Sequence, residues 1–547
     1  MFRKFTRLSQ VLFICWPLSV AAQDSTTISP TIAQSDSTTI IFKQPSALCC
    51  DSIIAFINQL SLQVNEQALT GRTHTQVHQL PCFDIFAQAH HLAAGELRNQ
   101  ISSWAQSDTV KADGNALLQG ARLYYLRQLR SSSLHYERAA EQQEGMLPGK
   151  LNSADYHDAT ISEAIESAST TYLLAANSAN ENGDRTHAIR LYKKADSLLS
   201  FGPADNLPPA MAHKKYFISE LLATALYAEG RHMEGADGYV MLAQALQLEQ
   251  QLLVRYNRQL HPKEWARTKA NLGTILEAQG ELVEAADSLY QSAHAAFIEA
   301  TIIYTRAEHP QDWARMQNNT GVVLSKLGRI EEAITAFREA LDIYNPKEYA
   351  IDWALTQYNL GNMLQFQAAE KQGTDGLQLF RQSIAAYQLS LTVFNAKDNP
   401  DEWGWVQHKM GVSLFQQGRR LDGRAMLSDA VSAFRSALTV RTKEGSPTAW
   451  ANTQYNLGTA LWEENGRAAG GNMQLLEEAL KAYELALTVY TKKDYPEQWF
   501  NTQNSLGLLY EQQQQWSTAI KHFENIRDVE PMYAAQKVNE LRKKAGL

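Results

Sequence analysis

The sequence predicts an all-α solenoid built from stacked helical hairpins, and three regularities in its 547 residues carry that prediction. A Trp is followed eight residues later by a Gly six times, at Trp265/Gly273, Trp313/Gly321, Trp353/Gly361, Trp403/Gly411, Trp450/Gly458 and Trp499/Gly507. Successive Trp residues are 48, 40, 50, 47 and 49 positions apart, the length of a helical hairpin with its turns. A second phrase, small residue, aromatic four later and small three later, ends each of five units, and its aromatic always lies 16 residues before the next Trp. A unit of this size cannot bury its apolar face alone and does so by stacking on its neighbours.

The start of the chain follows another logic. Arg3, Lys4 and Arg7 precede the apolar run Val11 to Val20, and Val20-Ala21-Ala22 precede Gln23. Basic, apolar and small, in that order, is the pattern of a secretory signal cleaved after Ala22, so residues 1–22 are expected to leave an exported chain, periplasmic or extracellular. About ten apolar residues are too few to span a bilayer, and no later stretch reaches the length of a membrane helix. Cys15 is a poor lipidation site, with bulky Ile14 before it and Trp16-Pro17 after it. Cleavage would leave 47 basic against 58 acidic residues, a net of −11, and such a surface repels phosphate backbones, which argues against nucleic-acid partners.

Residues 23–46 are rich in Ser and Thr, carry the duplication Asp24-Ser-Thr-Thr-Ile28 and Asp36-Ser-Thr-Thr-Ile40, and read as a tether without a core. Residues 47–112 turn helical in pattern, with Ile53, Ile54, Ile57, Leu60 and Leu62 in one stretch and Phe83, Phe86, Leu92 and Leu97 in another, and form an N-terminal module or cap. One disulfide between Cys82 and either Cys49 or Cys50 is open to an oxidised chain, with one thiol left over. His74, His78, His90 and His91 do not fall at metal-ligand spacing, so no metal or cofactor is expected.

The repeats fill residues 113–533. Pro262, Pro310, Pro400, Pro447 and Pro496 stand three residues before their Trp, where a helix can begin without the missing N–H, and the third unit has Ala350 instead. Asn399 and Ser446 precede their prolines as N-caps, and Glu264, Asp312, Asp352 and Glu402 put negative charge in the first turn. Apolar positions at 0, 7 and 11, such as Trp353, Leu360 and Leu364, make one helical stripe, with the Trp series assigned to the packed core. The Gly beside that stripe lets the second helix approach. Second helices carry Ala293-Phe297-Ala300, Ala333-Phe337-Ala340, Ser383-Tyr387-Ser390, Ala430-Phe434-Ala437 and Ala479-Tyr483-Ala486. From Gly to that small residue the interval varies as 20, 12, 22, 19, 21 and 12, so insertions such as Glu370 to Gln378 and Gly466 to Asn472 are expected to protrude at the hairpin turn. Residues 534–547 are read as a capping helix.

Asn-Leu-Gly at 271–273, 359–361 and 456–458, Gly280, Gly328 and Gly418 at the turns, and the small/aromatic/small phrase together resemble tetratricopeptide repeats. The final unit matches most closely, through Gly507, Tyr510, Ala519, Phe523 and Pro531. Weaker units thread through Gly120/Tyr136/Ala139, Ala176/Gly183/Ala188/Tyr192/Ala195 and Ala223/Gly230/Tyr239, giving about nine hairpins between Asp113 and Tyr533 in a right-handed superhelix. The resemblance implies a groove lined by first helices at fixed positions. Carried onto this chain, those positions hold Tyr358 and Phe366, then Trp405, His408 and Phe415, then Tyr455 and Trp462. An aromatic group of this kind suits a protein or peptide anchor, because it buries area at little rotamer cost; the alternative is packing against the preceding second helix. Asn271, Asn319, Asn359 and Asn456 are expected to bond backbone between hairpins.

Neither H-E-x-x-H, G-x-S-x-G, G-x-x-x-x-G-K-[ST] nor Cys-x-x-Cys occurs in the sequence. The expectation is a non-catalytic adaptor that binds a peptide or protein surface in its groove. The alternative is a structural, self-assembling component that uses the inserted turns.

Overall fold

The computed structural model describes residues 129–147, 159–200, 207–233, 235–468 and 471–546, with positions 105, 106, 119 and 121. The expected signal peptide, the tether, Cys49, Cys50 and Cys82, and the 47–112 module apart from residues 105 and 106 lie outside the described residues. The described residues are all-α, a tetratricopeptide-like solenoid of eighteen helices and no strand. In order these are α1 (Leu129–Glu144), α2 (Ala159–Glu181), α3 (Arg185–Leu198), α4 (Pro209–Gly230), α5 (Gly235–Arg255), α6 (Pro262–Glu281) and α7 (Asp287–Ala300). There follow α8 (Pro310–Lys326), α9 (Ile330–Leu341), α10 (Ala350–Glu370), α11 (Gly373–Ser390), α12 (Pro400–Leu421) and α13 (Arg424–Leu438). The last are α14 (Pro447–Gly466), α15 (Met473–Leu487), α16 (Pro496–Gln512), α17 (Trp516–Asn525) and α18 (Pro531–Ala545). The chain divides inside α7 into two compact units, one running to Ala296 and the other beginning at Phe297.

In the first unit α1 packs on α2, α2 on α3 and α4 on α5. Its core runs through Tyr136, Tyr172, Leu191, Tyr192, Leu222, Leu226 and Leu242. Two of the weaker upstream repeats are present, with one shift of register; Gly120 of the first repeat lies outside the described residues. In α3 the buried phrase is Ala188, Tyr192 and Ala195, as expected, whereas in α5 it is Gly238, Leu242 and Ala245, and Tyr239 lies one residue off that stripe, half-buried. A Leu therefore takes the aromatic position in this unit, which is why the sequence pattern misleads there.

In the second unit each second helix buries its aromatic against the first helix of the same hairpin. A Cβ on Gly361 would stand 2.7 Å from Cε1 of Tyr387, on Gly411 2.8 Å from Phe434, and on Gly507 2.9 Å from Phe523. The glycine leaves the volume that the ring fills, and Phe337, Tyr387, Phe434, Tyr483 and Phe523 are all essentially fully buried. Burying each ring contributes roughly 1.5–3 kcal/mol. The phenols among them still find partners at the hairpin's far side, Tyr387 donating to Oδ1 of Asn362 at 2.8 Å and Tyr483 to Oγ1 of Thr459 at 3.0 Å. Of the three glycines placed at turns, Gly328 sits in one with φ +73°, while Gly280 and Gly418 belong to the ends of α6 and α12 and pack against Tyr290 and Leu427.

The constant link between hairpins has a recurrent mechanism. Eight residues before each Trp stands Asn257, Thr305, Asn345, Asn395, Thr442 or Thr491, and its side-chain oxygen accepts backbone N–H groups two or three residues on. Such side-chain turns fix the loop length. They also correct the reading of the helix starts: Asn399 and Ser446 make no side-chain cap, and the turn residues upstream organise the entry instead. The Trp rings are partly buried packing residues at the rim, not core; the fully buried positions are the small residues after them, Ala266, Ala314, Ala354 and Ala451.

At the other end of the hairpins the two insertions differ: six residues, 467–472, separate α14 from α15, whereas the insertion at Glu370 to Gln378 forms no long loop. Two residues separate α10 from α11, so most of the insertion lengthens the two helices. Arg420 of α12 donates to the carbonyls of Ala368 (3.0 Å), Ala369 (3.2 Å) and Lys371 (2.7 Å), binding the end of α10 to the next hairpin.

Gly361→Ala forces its Cβ into Tyr387 and is expected to destabilise the protein by about 1–3 kcal/mol, read as a lower thermal midpoint. Gly466→Ala, at a helical position with nothing within 4 Å of the added Cβ, is expected to be neutral or stabilising by about 0.5–1 kcal/mol. Asn395→Ala removes two backbone caps and should cost about 1 kcal/mol in the same measurement.

Candidate functional site

Successive first helices α10, α12 and α14 touch one another and carry the seven side chains expected to line a groove. The structure distributes these over three packing clusters rather than one patch. Tyr358 is buried, 4% exposed, with its ring 6.0 Å from that of Tyr387, and half-buried Trp405 packs against the same cluster. Phe415 and Trp462 pack together around Phe434, Leu457 and Leu461. Tyr455 packs beside Ala451 and Tyr490, 5.5 Å from the Tyr483 ring, and Phe366 is half-buried. His408 is 8% exposed and lies 5.6 Å from the Phe434 ring. Tyr358 and His408 are thus buried against the second helix of their own hairpin, not the preceding one that was the alternative for these aromatics, while Tyr455, Trp405, Phe415, Trp462 and Phe366 retain exposed surface.

His408 belongs to a group of cations. Its Nδ1 is 3.0 Å from Oγ1 of Thr453, which also accepts from Nη1 of Arg441 at 3.0 Å and donates to the Ala449 carbonyl at 2.8 Å. With the hydroxyl proton committed to that carbonyl, Nδ1 of His408 must be the donor, which fixes the neutral ring's tautomer. Burial, then Arg441 and Lys409, hold His408 well below the usual imidazole range. Burial and Arg441 lower the Lys409 ammonium, and burial lowers Arg441 to about 10 against the opposing effect of Tyr358 and Asp401. Lys409 makes no ion pair among the described residues, and the buried Nε of Arg441 has no hydrogen-bond partner there. Two cations thus share a low-dielectric region in which Asp401 acts on Arg441 from nearby but no carboxylate of the described residues forms an ion pair with either, an arrangement that a ligand's carboxylate would relieve.

Neither cation was in the groove set. Lys409 stands one residue beyond the expected groove position, and Arg441 comes from the link between hairpins. The signal for Arg441 was present: nine residues before the other five Trp are Tyr256, Tyr304, Tyr344, Phe394 and Tyr490, and Arg441 alone breaks the aromatic series. Its stem passes over Gly404, where a Cβ would stand 2.9 Å from Val440 and 3.4 Å from Cγ of Arg441, so the Ala that four other units place there would crowd it.

Several charged residues elsewhere are matched internally. Arg315 pairs with Asp312 at 2.7 Å in α8. In the first unit Arg267 forms a buried ion pair with Glu220, and Asn271 donates to Oε1 of Glu249 at 2.7 Å. Burial, reinforced by Glu220, pushes the Glu249 carboxyl up to about 8, with Asn271 and Arg267 opposing. The recurrent asparagines accordingly bond side chains, not backbone: Asn271 to Glu249, Asn359 to Oδ1 of Asn318 at 3.4 Å, and Asn456 to Oδ1 of Asn452 at 2.8 Å. Among the described residues no group of His, Cys, Asp and Glu is arranged to hold a metal ion, and no helix is long and apolar enough to cross a membrane.

Residues 314–346 match the tetratricopeptide repeat family model. No curated protein matches the chain. Among solved structures, the chain is similar to the C-terminal part of a TPR repeat-containing protein from Cytophaga hutchinsonii, at 12% identity and a TM-score of 0.36, over 58% of this chain and 98% of that one. It is also similar to the apo form of RapI, at 13% identity and a TM-score of 0.42, over 82% and 98%. A third is YrrB, described as a TPR protein with an unusual peptide-binding site, at 16% identity and a TM-score of 0.31, over 44% and 97%.

Because the Glu249 carboxyl is raised from about 4.5 to about 8, the native state holds more protons than the unfolded one between those values, so its contribution to stability is lost as pH rises through that window. Glu249→Gln is expected to flatten this loss, by up to about 1.4 kcal/mol per pH unit, in urea unfolding from pH 5 to 8.5. His408 has the opposite sign. Its depressed value means that stability falls as pH drops below about 6.5, and His408→Asn should blunt that fall.

Proposed function

We propose that the chain is a non-catalytic protein-interaction scaffold that seats an extended, acidic segment of a partner along the first helices α10, α12 and α14, acting in the exported compartment that its basic, apolar and small start specifies. The observation that carries this reading is the Lys409 and Arg441 pair, two cations set among aromatic side chains with no carboxylate of the described residues in an ion pair with either. Half-buried Trp405, Phe415 and Trp462 supply apolar anchors on the same helices, and a carboxylate from the partner would replace the water lost from the cations. In a chain of net charge −8 this local excess of positive charge also selects for acidic partners by attraction, with a salt dependence that follows.

The other reading, self-assembly through inserted turns, meets a short connection at Glu370 to Gln378 and an arginine that ties it to the neighbouring hairpin. It remains testable by light scattering across concentration, where a constant monomer mass is the expected result.

The groove reading is tested by crosslinking and affinity purification of tagged protein beside a Trp405→Ala/Lys409→Met variant. Methionine keeps the lysine stem's packing and removes the charge. Partners recovered with the parent protein should be lost with a variant that retains its thermal midpoint, and their binding should weaken as salt rises. An identical set of partners from both proteins sinks the proposal.

A further inference from the structure

The link between hairpins carries a second regularity, this time of charge. Seven residues before the Trp, four units hold a cation over the indole: Arg258 is 5.9 Å from the Trp265 centroid, Arg306 5.2 Å from Trp313, Lys443 6.0 Å from Trp450 and Lys492 5.3 Å from Trp499. In two of these units the cation also meets a carboxylate five residues beyond the second helix's aromatic. Arg306 pairs with Asp342 at 3.1 Å, and Lys492 pairs with Asp528. In the unit of Trp450 that position is Thr488, whose hydroxyl donates to the Leu485 carbonyl, and Lys443 makes no ion pair among the described residues.

What stands there instead is an open cavity of about 330 Å³, lined by Leu438, Arg441, Lys443, Trp450, Leu485 and Thr488, with Thr442 and Glu444. Leucine side chains and the indole make its apolar wall; Lys443 supplies a cation at the mouth. Arg441 adds a second, whose buried Nε lacks a hydrogen-bond partner among the described residues. Glu444 also lines the cavity and forms no ion pair with Lys443. Two other hairpins display what fits such a place: an aspartate carboxylate beside a cation that lies on an indole.

We propose that this cavity is a second docking site, at the edge between hairpins, for an aspartate or glutamate side chain with an apolar neighbour on the surface of a protein partner. The partner's carboxylate takes the position that Asp342 and Asp528 hold in their own units, and its apolar neighbour lies against Trp450 and Leu485. This reading goes beyond the groove and shares only Arg441 with it.

The chain's own solution provides the test. Thr488→Asp supplies the missing carboxylate internally, closing the site while leaving the fold intact, as judged by an unchanged or raised thermal midpoint. The probe is the capped tripeptide acetyl-Leu-Asp-Leu-amide, followed by saturation-transfer NMR against the full chain. Binding is expected to the parent protein and to Lys409→Met, and to weaken at least about threefold in Thr488→Asp and in Lys443→Thr, the scale of an exposed charge pair. Unchanged binding to Thr488→Asp overturns the proposal, as does equal binding of acetyl-Leu-Asn-Leu-amide. Sodium acetate competing at the peptide's own concentration would also overturn it, because the apolar neighbour would then contribute nothing.

Discussion

The second unit depends on a contact between an aromatic ring and a glycine backbone. Where a second helix brings Phe337, Tyr387, Phe434, Tyr483 or Phe523 against the first helix of its hairpin, a side chain on the facing residue would lie at 2.7–3.0 Å from the ring. The glycine thus sets how closely the helices approach, and the small residues flanking the ring, such as Ala333 and Ala340, let the second helix follow along its length. Interiors packed at this density respond to a single methyl group, so the spacing of the hairpin is held by a residue with no side chain.

Once that distance is set, the two ends of each hairpin play different parts. The link from one hairpin to the next is constant because an Asn or Thr side chain closes its turn, and any change in length would break that hydrogen bonding. The turn within a hairpin carries no such closed link, so helices can lengthen there. Arg420 and Arg467 then tie the lengthened ends across hairpins, Arg467 reaching Asp422 at 2.7 Å. The indoles sit at the constant end, partly exposed, with cations lying on them.

Charge is distributed by the same division. Acids and bases on α4, α6 and α8 find each other, as Glu220 finds Arg267 and Asp312 finds Arg315. On α12 and in the link to α14, Lys409, Arg441 and Lys443 collect without such partners. Removing cations from water costs free energy unless a counter-charge replaces it. A region of this kind, in an acidic chain, is where the molecule has most to gain from a partner's carboxylate.

The sequence by itself determined the helical hairpins, the ring positions and the constant link, because each of these is enforced by a spacing that a one-residue change would destroy. It failed at Tyr239, where a leucine had taken the aromatic's place, and at Asn399 and Ser446, whose identity suits a cap that the upstream turn made unnecessary. Tertiary structure decided which side chains on the first helices are open. Tyr358 and His408 share the groove spacing of Trp405, yet rings from second helices cover them. It also decided that Arg441, 32 residues from Lys409 in sequence, joins it and His408 in one electrostatic group. Periodicity along one helix records which face a residue occupies; what covers that face comes from elements far away in sequence, and only their packing determines it.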